Sequence, residues 1–318
     1  MRRLFGRPRP AVVAAAVALA AAVALSGCGI SVGNRTSAAV GIKVTTAFGS
    51  TQLGAHALAH PPAAATLLGF TRRFFSVQTA ARDRVIEAID GRAAASAQQR
   101  DWFVYVNGIA ATRSAAATAL AAGDHVWWDL HDGQAAPSVP AVVGSYPEPF
   151  LDGSGGKSYP TVIDCGDPAS AACHGVTRSL DRAGVKVSFQ GLGTGSGSDS
   201  LAVLVGTFTQ LRGTLAAELL QGGPRSSGVY ARFVGARGQA LELLDPAGQV
   251  RQTFHSSVGL VAAVEQTGLN QPVWLVTGTD PAGVAAAAAA VTPAALDNHF
   301  AVAVVPGGRI LGLPLSPR

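Results

Sequence analysis

Trp102-Phe103-Val104-Tyr105-Val106-Asn107-Gly108 is an aromatic, β-branched run that ends in an Asn-Gly pair. Such a run favours a strand. Asn-Gly is the strongest short hairpin signal, because both residues tolerate the positive φ of a tight turn. Further on, Gly123-Asp124 leads into His125-Val126-Trp127-Trp128-Asp129-Leu130-His131, a second aromatic strand. Working outward, Ile42, Val44 and Thr46 alternate as at a strand start. Residues 63–75 carry Leu67, Leu68, Phe74 and Phe75 at helical spacing, and residues 115–122 read as a short helix ended by Gly123. These elements predict a first domain over residues 41–133.

The order of these signals (aromatic strand, Asn-Gly turn, small helix, Gly-Asp turn, aromatic strand) resembles the transcobalamin C-terminal-like domain. Gram-positive surface proteins carry that domain as a family of unknown function. The resemblance covers residues 42–131, under a third of the chain. It implies a small α+β, β-grasp-like fold. In transcobalamin and intrinsic factor the corresponding domain closes over a corrinoid, so the resemblance implies a corrinoid as a candidate ligand.

Ahead of this domain, Arg2, Arg3, Arg7 and Arg9 precede residues 11–25, fifteen residues made only of Ala, Val and Leu. Leu25-Ser26-Gly27-Cys28 follows. A basic n-region, an apolar h-region and a small-residue cleavage site are the parts of a secretory signal. As a helix the apolar run reaches roughly 22 Å, short of the roughly 30 Å hydrocarbon core, which suits a signal peptide better than a span. The terminal cysteine resembles the lipobox of bacterial lipoproteins. That resemblance implies removal of residues 1–27, a diacylglyceryl group of the palmitate kind on Cys28, and a spacer over residues 28–40. The expected location is the outer face of the cytoplasmic membrane, held by the lipid anchor.

The formal net charge is +5, but without the four leader arginines 20 of the 24 basic residues face 19 acidic ones. No Lys/Arg cluster interleaved with aromatics follows, so no nucleic-acid partner is expected. Arginine outnumbers lysine 21 to 3, a bias associated with G+C-rich genomes and, here, with a Gram-positive envelope. With Cys28 lipidated, Cys165 and Cys173 remain. An even pair in an exported chain predicts a disulfide. A metal site is the alternative, with His174 as the one further ligand close by.

Prolines and glycines mark residues 134–158 as a linker, apolar enough over 142–150 to pack as a strap and flexible at Gly153, Gly155 and Gly156. From residue 159 to 318 strands alternate with helices. Strands are predicted at 161–164, 201–205, 229–234, 240–244, 273–276 and 301–305. Helices are predicted around Cys173, Val176 and Leu180, around Leu211, Leu215 and Leu219, and over 258–264 and 282–291. Alternation of this kind predicts an α/β domain with a mixed or parallel sheet, making the whole chain α+β.

Candidate sites are few. Residues 191–198, Gly-Leu-Gly-Thr-Gly-Ser-Gly-Ser, lack the Gly-Lys-Ser/Thr ending of a phosphate loop and read as a hairpin loop. Gly206-Thr207 and Gly278-Thr279 each end a strand and open a helix, where an anion could sit on amide groups, although tight turning alone explains them. His125, Trp127, Asp129 and His131 share one strand face; at strand spacing the two histidines lie too far apart for one metal ion, so a polar exposed face is expected. Trp102, Tyr105, Trp127 and Trp128 either line an apolar ligand surface or form the core. No catalytic set, metal site or cofactor is expected. The function predicted is a non-enzymatic, lipid-anchored protein that binds a ligand through the first domain, a corrinoid or other small ligand delivered to a membrane importer. An envelope adaptor making protein contacts only is the alternative.

Overall fold

The computed structural model describes residues 39–62, 64–193, 197, 199–265 and 271–316. The expected signal peptide, Cys28 and all but the end of the spacer lie outside the described residues, as do Thr194, Gly195, Ser196 and Ser198 of the glycine-rich loop. Ser37–Arg318 forms one compact unit.

The first half opens with β1 (Val40–Thr46) and β2 (Thr51–Leu58), then α1 (Leu67–Arg72). A small meander of β3 (Val77–Ala80), β4 (Val85–Ile89) and β5 (Arg92–Ala93) follows. The aromatic strands are β6 (Arg100–Val106) and β8 (His125–Asp132), with short β7 (Ile109–Ala110) after the Asn-Gly turn. Asn107 and Gly108 take φ of 54° and 76°, as a hairpin turn requires. Sheet order is β2-β1-β8-β6-β7, with β1 and β8 parallel and the other pairs antiparallel. A parallel central pair with a helix across one face is the β-grasp-like arrangement. Val40, Ile42, Val44, Val126, Trp128 and Leu130 pack beneath Leu67, Leu68 and Phe70 of α1.

Two local expectations change here. The helix is shorter than 63–75, beginning after Thr66, whose side chain caps the Gly69 amide. Residues 115–122 are not helical, because their backbone bonds to the chain around α1. Leu67 N donates to Thr118 O, Leu68 N to Ala115 O, and Leu120 N to Ala65 O. Residues that satisfy a neighbouring segment have no groups left for an internal helical ladder.

The segment between the halves is packed over much of its length. Ala136, Val139, Ala141, Val142, Val143, Tyr146 and Phe150 are buried. Val142 N donates to Gly108 O on one side and Val143 N to Phe300 O on the other.

The second half runs β9 (Thr161–Cys165), α2 (Ala171–Arg182), β10 (Val187–Gly191) and β11 (Leu201–Thr207). Helices α3 (Phe208–Leu211), α4 (Leu215–Gln221) and α5 (Pro224–Ser227) lead to a three-stranded sheet of β12 (Ala231–Val234), β13 (Ala240–Leu244) and β14 (Val250–Phe254). Then come β15 (Gly259–Glu265), β16 (Pro272–Gly278), α6 (Pro281–Ala289), α7 (Pro293–Leu296), β17 (Ala301–Val305) and β18 (Arg309–Leu313). The main sheet has the order β10-β9-β11-β16-β15-β17-β18. Its first four strands are parallel and the rest antiparallel, a mixed sheet. Helices α2 and α6 cover one face, while α3, α4 and the β12–β14 sheet cover the other.

The helix expected over 258–264 is strand β15. It pairs with β16 on one side and β17 on the other. Its residues Gly259 to Val264 are all buried, and a short apolar run buried on both faces carries no periodicity to separate strand from helix.

One core cluster joins the halves: Phe48, Tyr105 and Trp127 pack with Val139 and Val142 of the strap and with Tyr230, Phe233 and Phe300. Lys43 adds a polar tie. Its Nζ donates to Gly144 O at 3.0 Å and to Asp297 Oδ1 at 2.9 Å, and lies 4.2 Å from the centre of the Trp127 ring.

Candidate functional site

The four aromatic candidates divide between the two faces of the first sheet. Trp102 and Trp128 lie beneath α1, whereas Tyr105 and Trp127 face the second half. All four are buried, and the indole N–H groups are spent internally. Trp127 Nε1 donates to Thr45 Oγ1 at 2.7 Å, Trp128 Nε1 to Thr71 Oγ1 at 3.0 Å, and Trp102 Nε1 to Arg92 O at 3.0 Å. Their placement is that of core.

The strand face carrying Trp127, Asp129 and His131 was expected to be exposed, and it is not. Asp129 and His131 are 0 % and 1 % exposed; the rings of Phe48, Phe103 and Phe300 pack on His131, and Tyr230 packs in turn on Phe48, while His125 alone stays at the surface. Asp129 is a clamp for the β1–β2 turn, where Ala47, Phe48 and Gly49 have φ of 55°, 58° and 80°. It accepts the Phe48 and Gly49 amides at 3.0 and 2.8 Å, the Thr45 hydroxyl, and a bond with His131 Nδ1 at 2.8 Å. A buried carboxyl group is tolerated where its oxygens are engaged in this way.

A different place has the form of a ligand site. The carboxyl ends of parallel strands β9, β11 and β16 open onto a crevice of about 460 Å³. The chain leaves β9 for α2 on one face of the sheet and leaves the adjacent β11 for α3 on the other. Adjacent strands whose connections part to opposite faces create a gap outside their carboxyl ends, where α/β proteins bind ligands. Asp167 and Ser170 come from the β9–α2 turn, Ala172 from the first turn of α2, Thr207 from the end of β11, Gln210 from α3, Asp280 from the cap of α6 and Val284 from α6 itself.

Local sequence sets this geometry. Ser170 caps α2 by accepting the Cys173 amide, Asp280 caps α6 by accepting the Gly283 amide at 2.8 Å, and Thr207 with Gln210 forms a capping box. Cys165 and Cys173 form the expected disulfide, their Cα atoms 6.2 Å apart, tying the end of β9 to the first turn of α2. The loop it closes carries Asp167, Ser170 and Ala172. Helix α6 sits close on the sheet because Gly283 and Gly259 meet; a Cβ on Gly283 would stand 2.2 Å from Val258 O.

The Gly206-Thr207 and Gly278-Thr279 turns, each read from the sequence as a strand end opening a helix, come together at one crevice. Anion binding does not follow, however. Side-chain caps already occupy helix amides, and among the described residues two carboxylates but neither Lys nor Arg line the crevice. Asp167, Ser170 and Asp280 were not singled out from sequence. The Asp280-Pro281 pair is a helix-start signal that marks the position, though not its partners across the crevice.

A second cluster of carboxyl groups lies on the strap. Glu148 is 1 % exposed and accepts the Asp152 amide at 2.8 Å. Burial pushes its carboxyl up to about 8, with the nearby Asp152 and Asp124 carboxylates reinforcing the shift. Asp124, raised chiefly by burial, accepts Asn107 Nδ2 at 2.9 Å, and the same nitrogen reaches Gly153 O at 2.9 Å.

These features define an α+β chain in which a β-grasp-like half is fused to a mixed-sheet half bearing a crevice. Within the first half, the family described as a domain of unknown function, DUF4430, matches residues 64–132. No curated protein matches the chain. Two solved structures are similar over 30 % of it. One is a candidate metal-binding protein from Ruminococcus gnavus, 17 % identical, covered over 98 % of its length, with a TM-score of 0.26. The other is haptocorrin in complex with Cbi, 12 % identical, with a TM-score of 0.22. The match spans 26 % of haptocorrin.

Proposed function

We propose that this chain is a lipid-anchored protein on the outer face of the cytoplasmic membrane that binds a small ligand for a membrane importer and catalyses no reaction. The observation that carries the binding reading is the crevice at the carboxyl ends of β9, β11 and β16. Its volume of about 460 Å³ lies within the range of small-molecule sites, about 300–1,000 Å³. Among the described residues its lining holds no His or Cys, and Thr207 and Asp280 are engaged as helix caps, which favours holding a ligand over transforming one. The leader, with its basic start, short apolar run and Cys28, supports export and anchoring.

A corrinoid is the first ligand to test, on the resemblance of residues 42–131, and because the crevice lies outside those residues the test separates a site there from one in the first half. The full chain is titrated with cobalamin and followed by visible absorbance and calorimetry, alongside Ala172→Trp, which places an indole at the mouth of the crevice. Saturable heat with a spectral change, weakened about tenfold or more by the substitution, is the expected result. No heat at micromolar protein removes the corrinoid. Heat that Ala172→Trp leaves unaltered removes the crevice as its site.

A further inference from the structure

A second groove lies at the far end of the first sheet, where β8 ends and β5 meets the start of β6. Its volume is about 500 Å³, and its walls include Arg92, Arg100, Thr46, Leu130 and Asp132. Both arginines are exposed, and among the described residues neither guanidinium has an ion pair or a hydrogen bond. Arg72 and Arg232, by contrast, are tied to Asp83 and Glu242.

The backbones that carry the two guanidiniums are fixed. Arg92 O accepts the Trp102 indole N–H at 3.0 Å. Arg100 exchanges two backbone bonds with Ala95, at 2.7 and 3.3 Å. Nearby carboxylates are engaged elsewhere: Asp101 Oδ1 accepts the Ser96 hydroxyl, and Asp132 Oδ1 accepts the Gln134 amide at 2.7 Å. The groove therefore presents two unpaired guanidiniums against one carboxylate, on anchored strands, beside the apolar Leu130.

We propose that this groove binds a phosphate group, with Arg92 and Arg100 as its ligands. Each planar guanidinium can offer two N–H donors to phosphate oxygens, and such charge-assisted, bidentate pairs are the strong form of the hydrogen bond. The acidic crevice of the second half would repel the same ligand, so the two sites are chemically distinct. A phosphate can come from a soluble ester or from the headgroup of an anionic phospholipid, since both present the same oxygens.

The test uses the full chain in neutral detergent, with Arg92→Gln/Arg100→Gln and Arg100→Lys beside it. One arm titrates inorganic phosphate by calorimetry against chloride at equal ionic strength. The other compares retention on phosphatidylcholine vesicles with and without phosphatidylglycerol. We expect a phosphate heat, or retention that rises with phosphatidylglycerol, to weaken about tenfold or more in the double variant. Arg100→Lys, which keeps the charge and loses the fork, should fall between. A phosphate response alone assigns a soluble ester, and a vesicle response alone assigns the headgroup. A thermal midpoint near that of the parent shows that the exposed substitutions leave the fold intact. No response in either arm, or an equal response in the double variant, overturns the proposal.

Discussion

Glu148 shows how one side chain makes this fold depend on pH. Its carboxyl is lifted from 4.5 to about 8 by burial in the strap. Between those values the folded protein holds a proton that the unfolded chain has released. The stability it contributes is therefore complete below about pH 4.5 and declines as the pH rises to about 8, by up to about 1.4 kcal/mol per pH unit. Glu148→Gln should flatten that decline. Denaturant unfolding of both proteins at acidic and mildly alkaline pH checks it, and equal slopes would contradict it. Asp129 and His131 show where residue-level reading stops. Strand alternation identified them as sharing a face, but Phe300, which packs on His131, and Tyr230, which packs on the neighbouring Phe48, lie far along the chain, and no local pattern carries those contacts. Asp129 and His131 therefore read as exposed until the second half is in place.

At the scale of elements, strong local chemistry was legible and ambiguous chemistry was not. The aromatic strands, the Asn-Gly turn and the α6 region were readable because turn and cap residues bound them. Strand β15 was not, since Gly259 to Val264 offers neither alternation nor a polar stripe. Strands β14 and β18 carry no clear sequence signal for a related reason: each is short and carries exposed residues. The disulfide was foreseeable from cysteine count, whereas its place at the lip of the crevice was not. Closing a loop this short should stabilise the fold by about 2–3 kcal/mol. Cys165→Ser/Cys173→Ser should lose that amount in denaturant unfolding, and should also bind the crevice ligand more weakly, because Asp167 and Ala172 sit in the released loop. Unchanged stability would contradict the first effect, and unchanged affinity the second.

On the scale of the whole molecule, the halves share one core, so the first sheet is not an open ligand surface but a wall of that core. The sequence contained the crevice only in part. Its two Gly-Thr turns were visible, yet their meeting depends on β11 pairing with β16 across an intervening stretch of helices and a second sheet. The proposed anchoring rests on Cys28: labelling cells with a fatty-acid analogue should mark the parent chain and leave Cys28→Ala blank, and equal labelling would remove the lipid anchor. The central claim is that the ligand occupies the crevice and not the aromatic strands. Amide hydrogen exchange with and without saturating cobalamin, read by mass spectrometry on the full chain, addresses it directly. Added protection should fall on residues 166–172, 206–212 and 279–284, which surround the crevice. Protection confined to residues 102–106 and 125–131 would contradict the account.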